Sequence, residues 1–308
     1  MNSYTKPWWA ISSHIETIIP ALFRKTVAKD YDKEVFTFSD GDITQLNWFR
    51  HSGDSKRKLL VIIPGLGSDA TRYYIKNSAY YLYQAGYDVL VPDHRGGGIP
   101  NKSFKAYHSS NYQDLHEVVS TQTYSNMYLL GYSLGGSIVL NYIYRYPSVF
   151  QKAISVCAPF DLFVSSHNLE RFTNRLYQNK FVRGLKPFLC QKADEFPDLV
   201  TKEAIRKCKT IRDIDELYTA PAHGFDNAND YYQKSSAKYF LSEIKTELLC
   251  VNALNDTITP ISNDTIQILK ENSNIVLNLP LKGGHVGFST INLKGVFWHE
   301  ELIIEFLR

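Results

Sequence analysis

A serine between glycines is the first feature of this 308-residue sequence that could perform chemistry. Residues 131–135 read GYSLG, with an apolar run before them and an apolar, helix-forming run after them. In a sharp turn from strand to helix, small neighbours tolerate a strained serine, and the helix N-terminus favours negative charge beside it. We therefore predict that Ser133 is a nucleophile; an ordinary turn serine is the alternative.

A serine hydroxyl attacks a carbonyl only when a base takes its proton and a carboxylate orients that base. After a G-x-S-x-G turn, the acid and then the histidine are expected further along the chain. His285 lies among glycines after the last predicted strand, and its alternative role is that of a structural loop histidine. Asp256 follows the strand before, where catalytic groups collect in open sheets. Asp161 is the alternative acid, and Asp256 or Asp264 could instead cap the next helix.

The same chemistry needs backbone N–H groups that stabilise the negative oxygen of the intermediate. Leu134, the residue after the nucleophile, would supply one N–H group. Residues 64–68 read PGLGS and follow an earlier predicted strand, so we predict that the Leu66 amide supplies the other. These groups predict acyl transfer through an acyl-enzyme, which requires neither a metal nor a cofactor.

The same loop also has a dinucleotide-binding interpretation. Residues 65–70 read GLGSDA, formally G-x-G-x-x-A, and Asp93 ends the next predicted strand, where it could bind a ribose. However, two strands precede this strand, whereas a dinucleotide-binding unit usually begins with it. That interpretation also leaves Ser133, Asp256 and His285 unexplained. We favour a hydrolase over an NAD-dependent oxidoreductase, and a hydrolase-fold binding protein with little turnover stays open.

Short apolar or β-branched runs predict the strands, and segments of helical periodicity separate most of the later ones. The predicted strands are 35–38, 45–49, 59–63, 88–91, 127–130, 153–156, 247–251 and 275–279, and the predicted helices are 73–84, 111–121 and 136–144. This alternation predicts an α/β fold with a mostly parallel central sheet and helices on both faces. The first two strands lie close together, which predicts an antiparallel N-terminal edge.

The alternation of strands and helices stops between residues 159 and 241. This stretch has no convincing strand, contains helical, aromatic-rich and basic segments at 169–186 and 201–208, and is too long for a loop. We predict a single domain over residues 1–308, with residues 159–241 inserted as a helical cap above the carboxyl edge of the sheet. Extra helices packed elsewhere are the alternative.

The composition argues against several classes of protein. Hydrophobic residues make up 44% of the chain, enough for a packed core, and the net charge of +3 is too small to indicate nucleic-acid binding. The four cysteines are far apart without C-x-x-C spacing, which predicts reduced thiols in a cytoplasmic protein rather than disulfides or a zinc site. We also expect no signal peptide and no transmembrane segment.

Several motifs together resemble the YheT-type family of α/β-hydrolases, which is related to the mammalian ABHD1/ABHD3-like hydrolases. The resemblance runs nearly end to end. The matching segments are SHIETIIP at 13–20, with Glu16 where glutamine is usual, PGLGS at 64–68, with Pro64 where bacterial members more often have histidine, DHRGGG at 93–98, YHS at 107–109, TAPAHGF at 219–225 and DYY at 230–232.

This resemblance implies the α/β-hydrolase fold and hydrolysis of carboxylic esters, with acyl-chain or lipid-like substrates in some relatives. It places Ser133, Asp256 and His285 at the family's triad positions. We therefore expect a small-molecule acyl ester, of short to medium chain or lipid-like, as the substrate.

Other motif residues have no role that the sequence defines. For Arg95, His108 and His223 we expect structural roles, with Arg95 pairing with Asp114 or Glu117. The segment 8–11, WWAI, is expected to pack on the core rather than to contact a membrane, although some eukaryotic relatives are membrane-anchored.

Overall fold

An eight-stranded sheet forms the centre of the computed structural model, which describes residues 3–53 and 58–308. The strands are β1 (Asp32–Thr37), β2 (Ile43–Phe49), β3 (Lys58–Ile63), β4 (Tyr87–Pro92), β5 (Asn126–Tyr132), β6 (Lys152–Val156), β7 (Glu247–Val251) and β8 (Ile275–Asn278). Their spatial order is β1-β2-β4-β3-β5-β6-β7-β8. The β1–β2 and β2–β4 pairs are antiparallel and the other pairs are parallel, so the predicted antiparallel edge and mostly parallel sheet are confirmed.

Helices cover both faces of the sheet. They are α1 (Ser13–Phe23), α2 (Tyr73–Gln84), α3 (Tyr112–Ser120), α4 (Leu134–Arg145), α5 (Leu162–Glu170), α6 (Arg175–Glu195), α7 (Lys202–Lys207), α8 (Ile211–Ile214), α9 (Ala220–Ala222), α10 (Ala228–Ser235), α11 (Asn263–Glu271) and α12 (Trp298–Leu307). Leu59 and Val61 of β3 pack in one core cluster with α3 and α4, whereas Leu60 and Ile62 pack in another with α2 and α12. Because side chains alternate across a strand, a continuous apolar run serves both cores.

Between β6 and β7, a stretch described without a gap, the chain forms helices and turns and contributes nothing to the sheet. The segment expected to be helical at 169–186 is divided between two helices: α5 ends at Glu170, extended backbone follows at Arg171, and α6 runs on past Pro187 to Glu195. A π-helical turn, Asp215–Thr219, follows α8. We propose that residues 159–241 form the cap, as the sequence predicts.

The N-terminal segment is attached to the body through Trp9. Its indole Nε1 donates a hydrogen bond to the carbonyl of Ile291 at 2.8 Å, and Ala10 is buried, while the Trp8 side chain is 79% exposed. Within residues 3–53 and 58–308, the helices are too short or too polar to cross a lipid bilayer.

Candidate active site

The turn between β5 and α4 holds Ser133 in a left-handed backbone conformation, with φ 54° and ψ −121°. Its amide donates to the Val156 carbonyl at 2.8 Å, which fixes the turn to the neighbouring strand. A Cβ atom added at Gly131 would lie 2.2 Å from the Gly135 carbonyl oxygen, and one at Gly135 would lie 2.2 Å from the Ile63 carbonyl oxygen. The glycine spacing of the motif therefore follows from backbone contacts that no side chain fits.

The structure brings the predicted base and acid to this serine. His285 Nε2 lies 2.9 Å from Ser133 Oγ, and His285 Nδ1 lies 2.7 Å from Asp256 Oδ2. The Asp256 carboxyl is fully buried and the His285 side chain is 10% exposed. This is the geometry in which an imidazole can take a proton from a hydroxyl while a carboxylate holds its tautomer.

Hydrogen bonds keep the Asp256 carboxyl ionised. Burial alone would raise its pKa, but His285 and the hydrogen bonds from the Ile258 and Thr259 amides hold that pKa below its ordinary value. The Thr259 hydroxyl also donates to Asp256 Oδ2 at 2.8 Å and lies 3.3 Å from His285 Nδ1. The sequence analysis missed Thr259, although its position three residues after a candidate acid, before a proline, was a visible turn signal.

The alternative acids have other contacts. Asp161 caps α5, where one carboxylate oxygen accepts the Val164 amide and the other lies 2.6 Å from Lys238 Nζ. The cap of α11 is Ser262, whose hydroxyl accepts the Thr265 amide, so neither Asp256 nor Asp264 is the cap. The alternatives weighed for these aspartates are therefore wrong in this structure.

Helix α1 holds the loop that carries His285. The Thr17 hydroxyl accepts the His285 amide at 2.9 Å, and Asn255 accepts the Gly284 amide at 3.1 Å. Asn255 in turn donates to the buried Glu16 carboxylate at 2.6 Å. The SHIETIIP segment thus positions the candidate base. The sequence analysis identified this motif but assigned it no role.

The two predicted oxyanion donors lie beside the serine. Leu66 and Leu134 both line the cavity that contains Ser133, and their amides donate no backbone hydrogen bond to another described residue. The amide after Leu66, that of Gly67, donates instead to the Tyr107 hydroxyl at 2.8 Å. A Cβ atom at Gly65 would lie 3.2 Å from Ser133 Cβ, so the loop approaches the nucleophile closely. Their role as the oxyanion hole stays a prediction.

Asp93 does not fit the dinucleotide interpretation. It is 5% exposed, and its carboxylate accepts the Ala70 amide and the Asn47 side-chain amide, both at 3.0 Å. These hydrogen bonds hold the loop after β3 in place. They also engage the Asp93 carboxylate, which would have to bind the ribose of a dinucleotide. The arrangement favours an oxyanion loop over a cofactor loop.

A possible metal-binding group overlaps the candidate triad. Ligand atoms of Cys157, Asp256 and His285 lie within 4.8 Å of one another. Burial raises the pKa of the Cys157 thiol well above its ordinary value, and its sulfur accepts the Val286 amide at 3.3 Å. Because metals bind thiolates and a histidine nitrogen that is not hydrogen-bonded, the group fits the hydrogen-bonded triad better than a metal.

The cavity around Ser133 has two lobes that share a wall. The serine lobe contains Ser133, and the cap lobe extends under the helical insertion. The shared wall consists of Leu66, Leu134, Ile211, Asp215 and Tyr231. The cap lobe adds mainly apolar and aromatic side chains, among them Leu185, Phe188, Leu189, Ile214 and Tyr218.

Arg95, another motif residue, pairs with several carboxylates. Arg95 pairs with Asp114, as predicted, and also with Asp40 and Asp42. Glu117, the other predicted partner, accepts the Ser39 amide and hydroxyl instead.

The two motif histidines lie beside each other with their rings tilted. The rings of His108 and His223 are 4.3 Å apart. Burial lowers the pKa of His223 to about 4 and the pKa of His108 well below its ordinary value. Both rings are therefore neutral near neutral pH.

Comparisons with known proteins show which family and fold the chain resembles. Residues 54–229 match the model of a family described as serine aminopeptidase, S33. The chain is 27% identical to "Phospholipase ABHD3" of Mus musculus, covering 93% of this chain and 73% of that protein. It is 28% identical to "Putative esterase YheT" of Escherichia coli, covering 95% and 87%. A Pyrococcus furiosus esterase structure superposes with a TM-score of 0.60 at 15% identity, covering 92% and 96%.

Proposed function

The chain belongs to the family described as serine aminopeptidase, S33, and we propose that it hydrolyses carboxylic esters through an acyl-enzyme on Ser133. The α/β-hydrolase fold expected from the sequence is confirmed. The observation that carries the proposal is the continuous hydrogen-bonded chain from Ser133 through His285 to the buried Asp256 carboxyl, which opens into a cavity.

In the first half-reaction, His285 Nε2 takes the Ser133 proton as Oγ attacks the ester carbonyl carbon. The carbonyl π electrons move onto oxygen, and the amides of Leu66 and Leu134 stabilise that negative charge. The intermediate then collapses, the bond from carbon to the alcohol oxygen breaks, and His285 gives its proton to the leaving alcohol. An acyl group stays on Ser133.

In the second half-reaction, water replaces the alcohol. His285 takes a proton from the water as its oxygen attacks the acyl carbon, and then returns the proton to Ser133 as the carboxylic acid leaves. Asp256 stays ionised throughout and stabilises the imidazolium that forms at each step. Thr259 holds the carboxylate in place by hydrogen bonds to it.

Two considerations support an ester rather than a peptide substrate, although the same steps would cleave either. Relatives that cover most of the chain are named as an esterase and a phospholipase. The cap lobe is lined mainly by hydrocarbon and aromatic surface, which suits an acyl chain better than a peptide. The binding-protein alternative shares the fold and differs by the absence of turnover.

Hydrolysis of p-nitrophenyl esters from acetyl to dodecanoyl tests the proposal. Wild type, Ser133→Ala and Ser148→Ala are compared, because Ser148 is exposed beyond the end of α4. We expect turnover in wild type and Ser148→Ala, and a loss of about 10⁴-fold or more in folded Ser133→Ala. No turnover in any protein would favour the binding protein, and equal turnover in Ser133→Ala would exclude Ser133 as the nucleophile.

A further inference from the structure

Asp215 is a buried carboxyl that the proposed mechanism does not use. It is 9% exposed and lies on the wall that the two lobes share. The Tyr232 hydroxyl donates to its Oδ2 at 2.7 Å and the Thr219 side chain also hydrogen-bonds to it, but no described lysine, arginine or histidine lies within ion-pair distance. The nearby Arg212 donates from Nη2 to Asn229, and its charge acts on Asp215 from a greater distance. Burying a carboxylate without an ion-pair partner costs free energy. Because Asp215 lines a cavity, a bound ligand could supply the missing partner.

The backbone at Asp215 is also unusual. Asp215 begins the π-helical turn Asp215–Thr219, which directly follows α8. An extra residue in a helical turn weakens the regular hydrogen-bond ladder, and such turns are found frequently at functional sites. The turn presents Asp215 and Thr219 to the cavity from the same element.

The position of His285 indicates where the alcohol part of the ester leaves. His285 must reach the leaving oxygen, so the alcohol part lies on its side of the carbonyl. Thr259, within 3.3 Å of the imidazole, and its neighbour Ile258 line the serine lobe and not the cap lobe. The serine lobe is therefore the space available to the alcohol part.

The serine lobe contains several polar groups. Hydroxyls of Ser109, Ser165, Ser166 and Tyr232 line it together with Asp215 and several aliphatic side chains. The hydroxyls can donate or accept hydrogen bonds, whereas an ionised carboxylate only accepts them. Asp215 therefore makes the part of the lobe around it selective for donors and unfavourable for anions.

We propose that Asp215 receives a hydrogen-bond donor, a hydroxyl or a protonated amine, carried by the alcohol part of the ester. This inference rests on the proposed esterase function and names the class of alcohol that the site selects. An alcohol bearing a carboxylate would be excluded, and a purely alkyl alcohol would add no hydrogen-bond donor to those that the Asp215 carboxylate already has.

The protonation states around Asp215 define a pH window for the test. Burial raises its pKa to about 6. Among the groups that face it, burial keeps His108 neutral by lowering its pKa and raises the pKa values of Tyr231 and Tyr232, and the charge of Arg212 opposes the rise in the pKa of Asp215. From about pH 5 to about pH 8, Asp215 is thus the group in this set that changes charge.

Four butyrate esters of similar size provide the probes: propyl, 2-hydroxyethyl, 2-(dimethylammonio)ethyl and carboxymethyl butyrate. Released butyrate is measured, and each kcat/KM is divided by the rate of hydroxide-catalysed hydrolysis of that ester, because the substituents change intrinsic reactivity. Wild type is compared with Asp215→Asn and with Asp226→Asn, an exposed carboxyl in the same insertion.

For wild type near neutral pH, we expect normalised kcat/KM for the hydroxyl and ammonium esters to exceed that for the propyl ester by about tenfold or more. The carboxymethyl ester should be the poorest substrate. Asp215→Asn should lose the ammonium preference and accept the carboxymethyl ester, while keeping part of the hydroxyl preference, since an amide oxygen still accepts. Asp226→Asn should match wild type. The same ratios in wild type and Asp215→Asn would overturn the inference.

The wild-type protein alone supplies a second test that does not depend on a variant folding. The ratio of kcat/KM between the ammonium and propyl esters removes the contribution of His285, because both esters need it. We expect this ratio to rise as pH increases through about 6, where Asp215 ionises. A flat ratio would overturn the inference. Failure of the esterase function is recognised separately, since wild type would then hydrolyse none of the four esters.

Discussion

Two buried carboxyls, one at the end of β7 and one in the proposed cap, differ in the state in which the protein holds them. Asp256 follows β7, and its pKa is held below the ordinary value by His285 and by backbone amides, against the effect of burial. Asp215 lies in the helical insertion, where burial raises its pKa to about 6 against the hydrogen bond from Tyr232. Both carboxyls lie near Ser133, the proposed nucleophile.

Asp256 and Asp215 are both buried, and their pKa values differ because their hydrogen-bond partners differ. Asp256 accepts the Ile258 and Thr259 amides, the Thr259 hydroxyl and the His285 ring, so the charged form is satisfied inside the protein. Asp215 has fewer donors, the side chains of Tyr232 and Thr219, and no histidine partner among the described residues. A fully partnered carboxylate orients a catalytic group, and an underpartnered one in a cavity can still gain from a ligand.

Of the changes to the two carboxyls and their partners, removing the charge of Asp256 should reduce kcat most. In Asp256→Asn the amide cannot stabilise the imidazolium and favours the wrong ring tautomer, so we expect kcat for p-nitrophenyl butyrate to fall about 10⁴-fold. Thermal unfolding checks that the variant is folded. A loss of less than tenfold would show that Asp256 is not the acid that orients His285.

Removing the charge of Asp215 should increase the free energy of unfolding. Its pKa is raised from 3.8 to about 6, so the folded state binds more protons between these values and stability falls as pH rises through them. On the order of 3 kcal/mol separates the two protonation states. We expect Asp215→Asn to gain stability relative to wild type by up to about that amount between pH 4 and pH 7.

Denaturant unfolding of both proteins across that pH range measures the gain, with Asp226→Asn as the control for a lost surface charge. A difference between Asp215→Asn and wild type that does not change with pH would contradict the raised pKa.

Thr259→Val removes one hydrogen-bond donor from Asp256, and we expect it to reduce kcat less than Asp256→Asn does. Valine keeps the shape but loses the hydroxyl that donates to Asp256 Oδ2 at 2.8 Å. We expect kcat to fall about tenfold, typical of losing a group that orients a catalytic residue. Thr121→Val, which removes a hydroxyl bonded to the Val118 carbonyl at the end of α3, is the control. Rates for Thr259→Val within twofold of wild type would exclude this positioning role.

The sequence predicted the elements and residues that depend on local pattern. Apolar runs identified the strands because the buried strands are apolar on both faces. The G-x-S-x-G turn could be recognised because backbone contacts exclude any side chain at Gly131 and Gly135. The chain order of acid and histidine then led to Asp256 and His285, which lie together with Ser133.

Sequence reasoning missed groups whose roles come from distant contacts. Thr17 holds the His285 loop from 268 positions away, and Asp215 meets the cavity wall through a π-helical turn that no periodicity signals. The break at Arg171 falls inside a segment for which the sequence analysis gave no internal boundary, although Phe172, Thr173 and Asn174 are weak helix formers. Pro187 suggested an end, yet α6 tolerates it and runs on to Glu195.

The acyl-enzyme on Ser133 is tested most directly by trapping it. Wild type and Ser133→Ala are mixed with p-nitrophenyl butyrate, quenched in acid within the first turnover, and digested for peptide mass spectrometry. The account predicts one butyryl adduct in wild type, on the peptide that contains Ser133, and none in Ser133→Ala. Wild-type turnover with an adduct on another residue, or the same adduct in Ser133→Ala, would contradict it.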